Sequence, residues 1–163
     1  MGRRAVAVLA LATGSLLAGC GAQAASDGPA TTTAPAPSAA ALEPCGLLSP
    51  ADRSTAGLTS PGTDKTIGTA RACDWTETGT FGLTVTVDDT AALSDLDTGG
   101  GKQVTIGRHR GVQVASTGGC GVLLATGAKA TAQVDVTNAS FRDSAAACRR
   151  ATTVAGLIEP KLP

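Results

Sequence analysis

The chain lacks the groups that most binding and catalytic chemistries require. Its 163 residues include no tyrosine, two phenylalanines and one tryptophan, and the formal net charge is zero. The cations form no stripe or run, and removal of Arg3 and Arg4 would leave a slightly acidic chain. Nucleic-acid binding rests on clustered cations and aromatic stacking, so a nucleic-acid partner is excluded. A single histidine, His109, is remote in sequence from every cysteine, and no Cys-x-x-Cys pair exists. A zinc site therefore lacks its ligand spacing, and neither a metal nor a cofactor is expected. The main apolar run, residues 5–17, is interrupted by Thr13, Gly14 and Ser15. It falls short of the roughly 20 residues of a membrane span.

That short run sits in an informative context. Arg3 and Arg4 precede it, and Leu17-Ala18-Gly19-Cys20 closes it. A charged start, a short apolar stretch and small residues before a cysteine form the signal of an exported lipoprotein. Residues 1–19 are then the signal peptide and Cys20 the lipidation site. Two acyl chains on Cys20 would anchor the protein at the extracytoplasmic face of the cell membrane, each methylene contributing about 0.8 kcal/mol. Residues 21–41 are almost wholly Ala, Ser, Thr, Pro and Gly, with Asp27 the sole charge. Such a segment buries too little apolar surface to order itself, and reads with Cys20 as a disordered linker. Its reach is about 25 Å as a coil and about 65 Å if extended. Thr31, Thr32 and Thr33 beside Pro35 and Pro37 are candidate O-glycosylation sites.

Residues 42–163 suit one compact domain. Four cysteines fall in it: Cys45, Cys73, Cys120 and Cys148. An even number in an exported domain reads as two disulfides. Equal spacing favours Cys45–Cys73 with Cys120–Cys148, and the nested pairing Cys45–Cys148 with Cys73–Cys120 is the rival. Ser49, Pro50 and Asp52 start a short helix that Gly57 stops, with Leu47, Leu48 and Leu58 inward. Residues 61–69 read as an exposed loop. Residues 70–77 and 80–87 form a hairpin about Thr78-Gly79, and Trp75 packs beside a disulfide. Residues 90–97 read as one or two helical turns with Ala92, Leu93 and Leu96 inward, followed by a flexible Gly99-Gly100-Gly101. Strands follow at 102–107 and 111–116, with Arg108-His109-Arg110 as a solvated tip. A further hairpin spans 119–126 and 131–138, turning at Gly127 and Ala128. A helix over 144–157 recurs in apolar residues at three and four residue steps, with Arg149 and Arg150 outward. The fold class is α+β: a mainly antiparallel sheet with flanking helices and two disulfides.

No catalytic constellation emerges. A serine hydrolase needs serine, histidine and carboxylate together, and no nucleophile-elbow motif is present. Asp88 and Asp89 are adjacent, and adjacent strand residues face opposite sides, which is poor for paired acid chemistry. The triple glycine has no Gly-Lys-Ser/Thr after it, so it is no phosphate loop. No free thiol remains for a cysteine nucleophile once the four cysteines pair.

The run Pro44-Cys45-Gly46-Leu47-Leu48-Ser49-Pro50-Ala51-Asp52, the Cys73-Asp74-Trp75 step, Cys120-Gly121-Val122, the late helical Cys148 and the Leu-Pro ending resemble the actinobacterial lipoproteins of domain-of-unknown-function family 3558. Asp143-Ser144 stands where that family often has Asp-Pro. The resemblance implies a small secreted or lipid-anchored domain with paired cysteines, and no established activity. The expected function is a non-catalytic binding or interaction module at the cell envelope. Its ligand, a small molecule or protein, lies against the sheet or beside Gly99. A cell-wall hydrolase using carboxylates such as Asp88 or Asp89, or a serine, and a structural accessory of a membrane complex, are the alternatives.

Overall fold

The computed structural model describes residues 38–163. Residues 1–37, with the expected signal peptide, Cys20 and most of the expected linker, lie outside the described residues. Seven strands make one antiparallel sheet in the order β1-β2-β3-β7-β6-β5-β4. They are β1 (Thr63–Ile67), β2 (Ala70–Glu77), β3 (Phe81–Asp88), β4 (Lys102–Ile106), β5 (His109–Ser116), β6 (Gly119–Gly127) and β7 (Ala130–Asn138). Two meanders, β1-β2-β3 and β4-β5-β6-β7, join where β3 pairs with β7. The two helices are α1 (Pro50–Ala56) and α2 (Ser144–Ile158). The α+β class read from the sequence is the one observed, with both disulfides pairing neighbouring cysteines: Cys45–Cys73 and Cys120–Cys148.

Alternation sets the two sheet faces. Phe81, Leu83, Val85 and Val87 of β3 share their side with Val134 and Val136 of β7 and Val122 and Leu124 of β6, all buried. Helix α2 lies on this side, inserting Ala147, Ala151, Val154, Ala155 and Ile158 into the same core. Three of those five are alanines, so the helix approaches closely but buries little apolar area. Cys148 of α2 is bonded to Cys120 of β6, which fixes helix to sheet covalently. Helix α1 begins with a capping box: Ser49 accepts from the Asp52 N–H, and Asp52 accepts from the Ser49 N–H. It ends at Gly57, whose φ of 78° is the left-handed value glycine tolerates. Leu47, Leu48 and Leu58 are buried as expected. Trp75 is buried beside Cys73, and Gly62 crosses them so closely that a Cβ there would lie 2.3 Å from the Cys73 Sγ.

The structure departs from the sequence reading in several places. Residues 61–69 are not a loop: Thr63–Ile67 is edge strand β1, fully exposed, defined by pairing with β2 and by the Lys65–Asp74 ion pair. Its side chains carry no burial pattern, so only the backbone ladder reveals it. In residues 90–97 only Leu93–Asp95 is helical, as a 3₁₀ turn. The turn between β4 and β5 falls at Gly107-Arg108, and β5 begins at His109. His109 is not a solvated tip residue: it is 6% exposed. Ala39–Ala41, which share the composition of the segment before them, form a 3₁₀ turn with Ala39 buried. The Arg71 guanidinium holds them by donating to the carbonyls of Ala39 and Leu42.

Candidate functional site

The helices occupy one face of the sheet. The opposite face is crossed by the connection between β3 and β4, residues 89–101. Two rungs of outward positions run beneath it. One is Thr84, Asp135, Gly121 and Val114; the next is Thr86, Gln133, Leu123, Val112 and Gln103. Val112 and Leu123 are buried although they lie on the face without helices, because the connection covers them. Leu96 divides the space beneath it. On one side is a hollow of about 470 Å³ lined by Leu93, Gln103, Arg110 and Val112. On the other is one of about 360 Å³ lined by Asp97, Val114, Leu123 and Asp135. Both hollows lie against the sheet, and residues just before Gly99, Asp97 and Thr98, contribute to their walls.

Local hydrogen bonds shape the connection. Asp88 accepts from the N–H and hydroxyl of Thr90 at 2.8 and 2.7 Å, which holds its carboxyl below the usual range. Asp95 caps Ala92 N–H, and Asp97 accepts from Gly99 N–H. Gly99 and Gly100 take φ of 53° and 73°, so the return to β4 depends on residues without a Cβ. Asp88 and Asp89 do not converge: Asp88 binds Thr90, and Asp89 lies 3.8 Å from Arg71.

Asp135 is the distinctive group in this groove. Its Oδ2 accepts from Gln133 Nε2 at 2.7 Å. Its Oδ1 lies over Gly121, where a Cβ would approach to 2.9 Å, and receives no donor among the described residues. Burial raises its pKa, while the Gln133 hydrogen bond and the more distant Lys65 charge oppose the shift. No pattern in the sequence singled out Asp135, since a lone acid alternating with Val134 and Val136 reads as an ordinary solvent-facing residue. The register opposite glycine and the covering connection give it this environment, and both are tertiary facts.

The lone histidine has a different occupation. His109 Nδ1 lies 2.8 Å from Glu159 Oε1, and Nε2 lies 2.9 Å from the Pro163 backbone oxygen. Glu159 also accepts from the Arg108 N–H at 2.9 Å, and these bonds lower its pKa. Both ring nitrogens are engaged, so neither faces a serine or an open hollow. Nearby, Lys161 reaches Asp52 at 2.6 Å and the Leu47 carbonyl, and Lys161 with Ser49 lowers the Asp52 pKa to about 2. The 3₁₀ turn Glu159–Lys161 thereby clasps the β4–β5 hairpin through one residue and the start of α1 through another. Cys45 and Cys73 with Asp64 bring three potential ligand atoms within 4.8 Å, but both sulfurs are spent in the disulfide.

These features define a class: a small antiparallel α+β domain, closed by two disulfides, with a connection-covered groove on the sheet face away from its helices. The chain belongs to the family described as protein of unknown function (DUF3558), whose model matches residues 15–161. No curated protein and no solved structure matches it. No helix among the described residues is long and apolar enough to cross a membrane.

Proposed function

We propose that this chain is an actinobacterial lipoprotein, anchored through Cys20 at the extracytoplasmic face of the cell membrane, that binds a ligand without transforming it. The groove beneath residues 89–101 is its binding surface. The observation that carries this reading is Asp135: a carboxylate with one free oxygen, disfavoured by burial, beside an apolar strip and under a glycine-ended strap. Ionisable groups held against their solvation preference gather at functional sites. The groove favours a ligand with an apolar body for Leu123, Val114 and Leu96, and a cationic or N–H head for Asp135. The occupied His109 ring speaks against a serine-histidine hydrolase, and the separate engagement of Asp88 by Thr90 and of Asp89 near Arg71 speaks against one built on paired carboxylates.

Primary alkylamines from hexylamine to decylamine are suitable probes, titrated into the full chain and followed by calorimetry. Saturable binding that tightens with chain length, and weakens at least tenfold in Asp135→Asn and in Leu96→Asp, is the expected result. No saturable binding, or affinity indifferent to both substitutions, contradicts the groove assignment. Turnover of a peptidoglycan or ester substrate by the pure protein would contradict the non-catalytic reading.

A further inference from the structure

A third hollow, on the helical side and independent of the groove, has a contrasting chemistry. It measures about 480 Å³ and lies between α1 and α2, bounded by Thr55, Gly57, Thr80, Phe81, Arg149 and Arg150. No carboxylate lines it. Among the described residues neither guanidinium forms an ion pair, and neither donates a hydrogen bond to protein. The acid paired with Phe81 in the ladder, Glu77, is already engaged. Its carboxylate is taken up by the N–H groups and hydroxyls of Thr59 and Ser60, which hold its pKa at about 2. Arg150 is not a loose surface side chain. Its guanidinium lies over the Phe81 ring, 3.7 Å from the centroid, and that ring is itself buried. Stacking fixes the plane of the fork and leaves its edges free. Arg149, one residue earlier, adds a second positive group to the same hollow.

We infer that this cleft is an oxyanion site that takes a phosphate group. Two guanidiniums present about ten N–H donors, more than the two oxygens of a carboxylate can engage. A phosphate supplies three or four acceptor oxygens in the bidentate geometry that guanidinium prefers. The Thr80 hydroxyl, which has no hydrogen-bond partner among the described residues, can add a further donor at the rim. The same chemistry is offered by a free phosphomonoester and by the phosphodiester of a lipid headgroup, and two probes separate them.

The test is calorimetric titration of the full chain in neutral detergent with inorganic phosphate and, separately, with glycerophosphoglycerol, a deacylated headgroup. One-site saturable binding of either probe is expected. Arg149→Gln and Arg150→Gln each weaken it about tenfold or more, Arg150→Lys restores it only in part, and Arg53→Gln, on α1 but outside the lining of the cleft, leaves it unchanged. Tighter phosphate binding assigns the site to monoesters, and tighter glycerophosphoglycerol binding to lipid headgroups. Arg149 is exposed, so its replacement leaves the fold intact should Arg150→Gln impair it. The inference is overturned if neither probe saturates, if sodium chloride at matched ionic strength reproduces the signal, or if Arg149→Gln binds as tightly as the parent.

Discussion

Cutting the Cys120–Cys148 bond should release α2 from the sheet at a calculable cost. The bond closes a loop with a sequence separation of 28. Chain entropy assigns a crosslink of that span about 3.5 kcal/mol at 25 °C. Beyond this bond the helix is held to the sheet mainly by Val154 and Ile158, because its other buried positions, Ala147, Ala151 and Ala155, bring little apolar area. For a domain of a little over 100 residues, each kcal/mol moves the melting temperature by about 4 °C, so Cys120→Ala/Cys148→Ala should melt about 14 °C lower. The Cys45–Cys73 bond has the same separation and the same entropic worth. Its removal should cost more, because Cys73 is wholly buried against Trp75 and its sulfur leaves a void. Thermal and guanidinium unfolding of the two double variants, followed by circular dichroism, measures both. A loss under about 1 kcal/mol for either pair would refute the reasoning, as would a greater loss for Cys120–Cys148 than for Cys45–Cys73.

Further outcomes follow from the same structure. Gly107→Ala should destabilise by more than about 2 kcal/mol, since φ there is 54° and a Cβ would meet the Glu159 carboxylate at 2.2 Å; denaturant titration reads this directly. Asp52 and Glu77 are held at about 2, and Glu159 is also lowered, so their contributions are complete above the ordinary carboxylate range and vanish as pH falls towards 2. Melting temperature should therefore drop on acidification from pH 5 to pH 2, and less steeply in Glu77→Gln; a flat profile would contradict the assignment. Asp135 has the opposite sign, because its raised pKa makes the ionised form a burden above that pKa. Asp135→Asn should melt higher than the parent at pH 7 and lose that advantage below pH 3, which thermal scans at the two pH values check.

The sheet was readable wherever strands alternate cleanly. Phe81, Leu83, Val85 and Val87 announce β3, and Val134 and Val136 announce β7, because a half-buried strand must write its two faces into the sequence. The caps of α1 were equally plain, since Ser49, Pro50, Asp52 and Gly57 act through local bonds. Strand β1 was hidden because none of its side chains is buried, and an edge ladder leaves no mark on residue type. His109 looked like a turn residue, and its burial comes from Glu159, 50 positions away. The groove was legible only as an expectation of a ligand against the sheet or beside Gly99. Its floor, Val112 and Leu123, and its acid, Asp135, acquire their meaning from a connection folded across the sheet. The arginine cleft was invisible for the same reason: Arg149 and Arg150 read as outward residues on α2, and α1 supplies the opposing wall.

Intact-mass and peptide analysis of the protein recovered from fractionated native cells reads the anchor and both crosslinks together. The expected product is a membrane-bound mature chain that begins at Cys20, carries diacylglycerol on that sulfur, and links Cys45 to Cys73 and Cys120 to Cys148. An uncleaved chain recovered from the cytosol with four alkylatable thiols would contradict it.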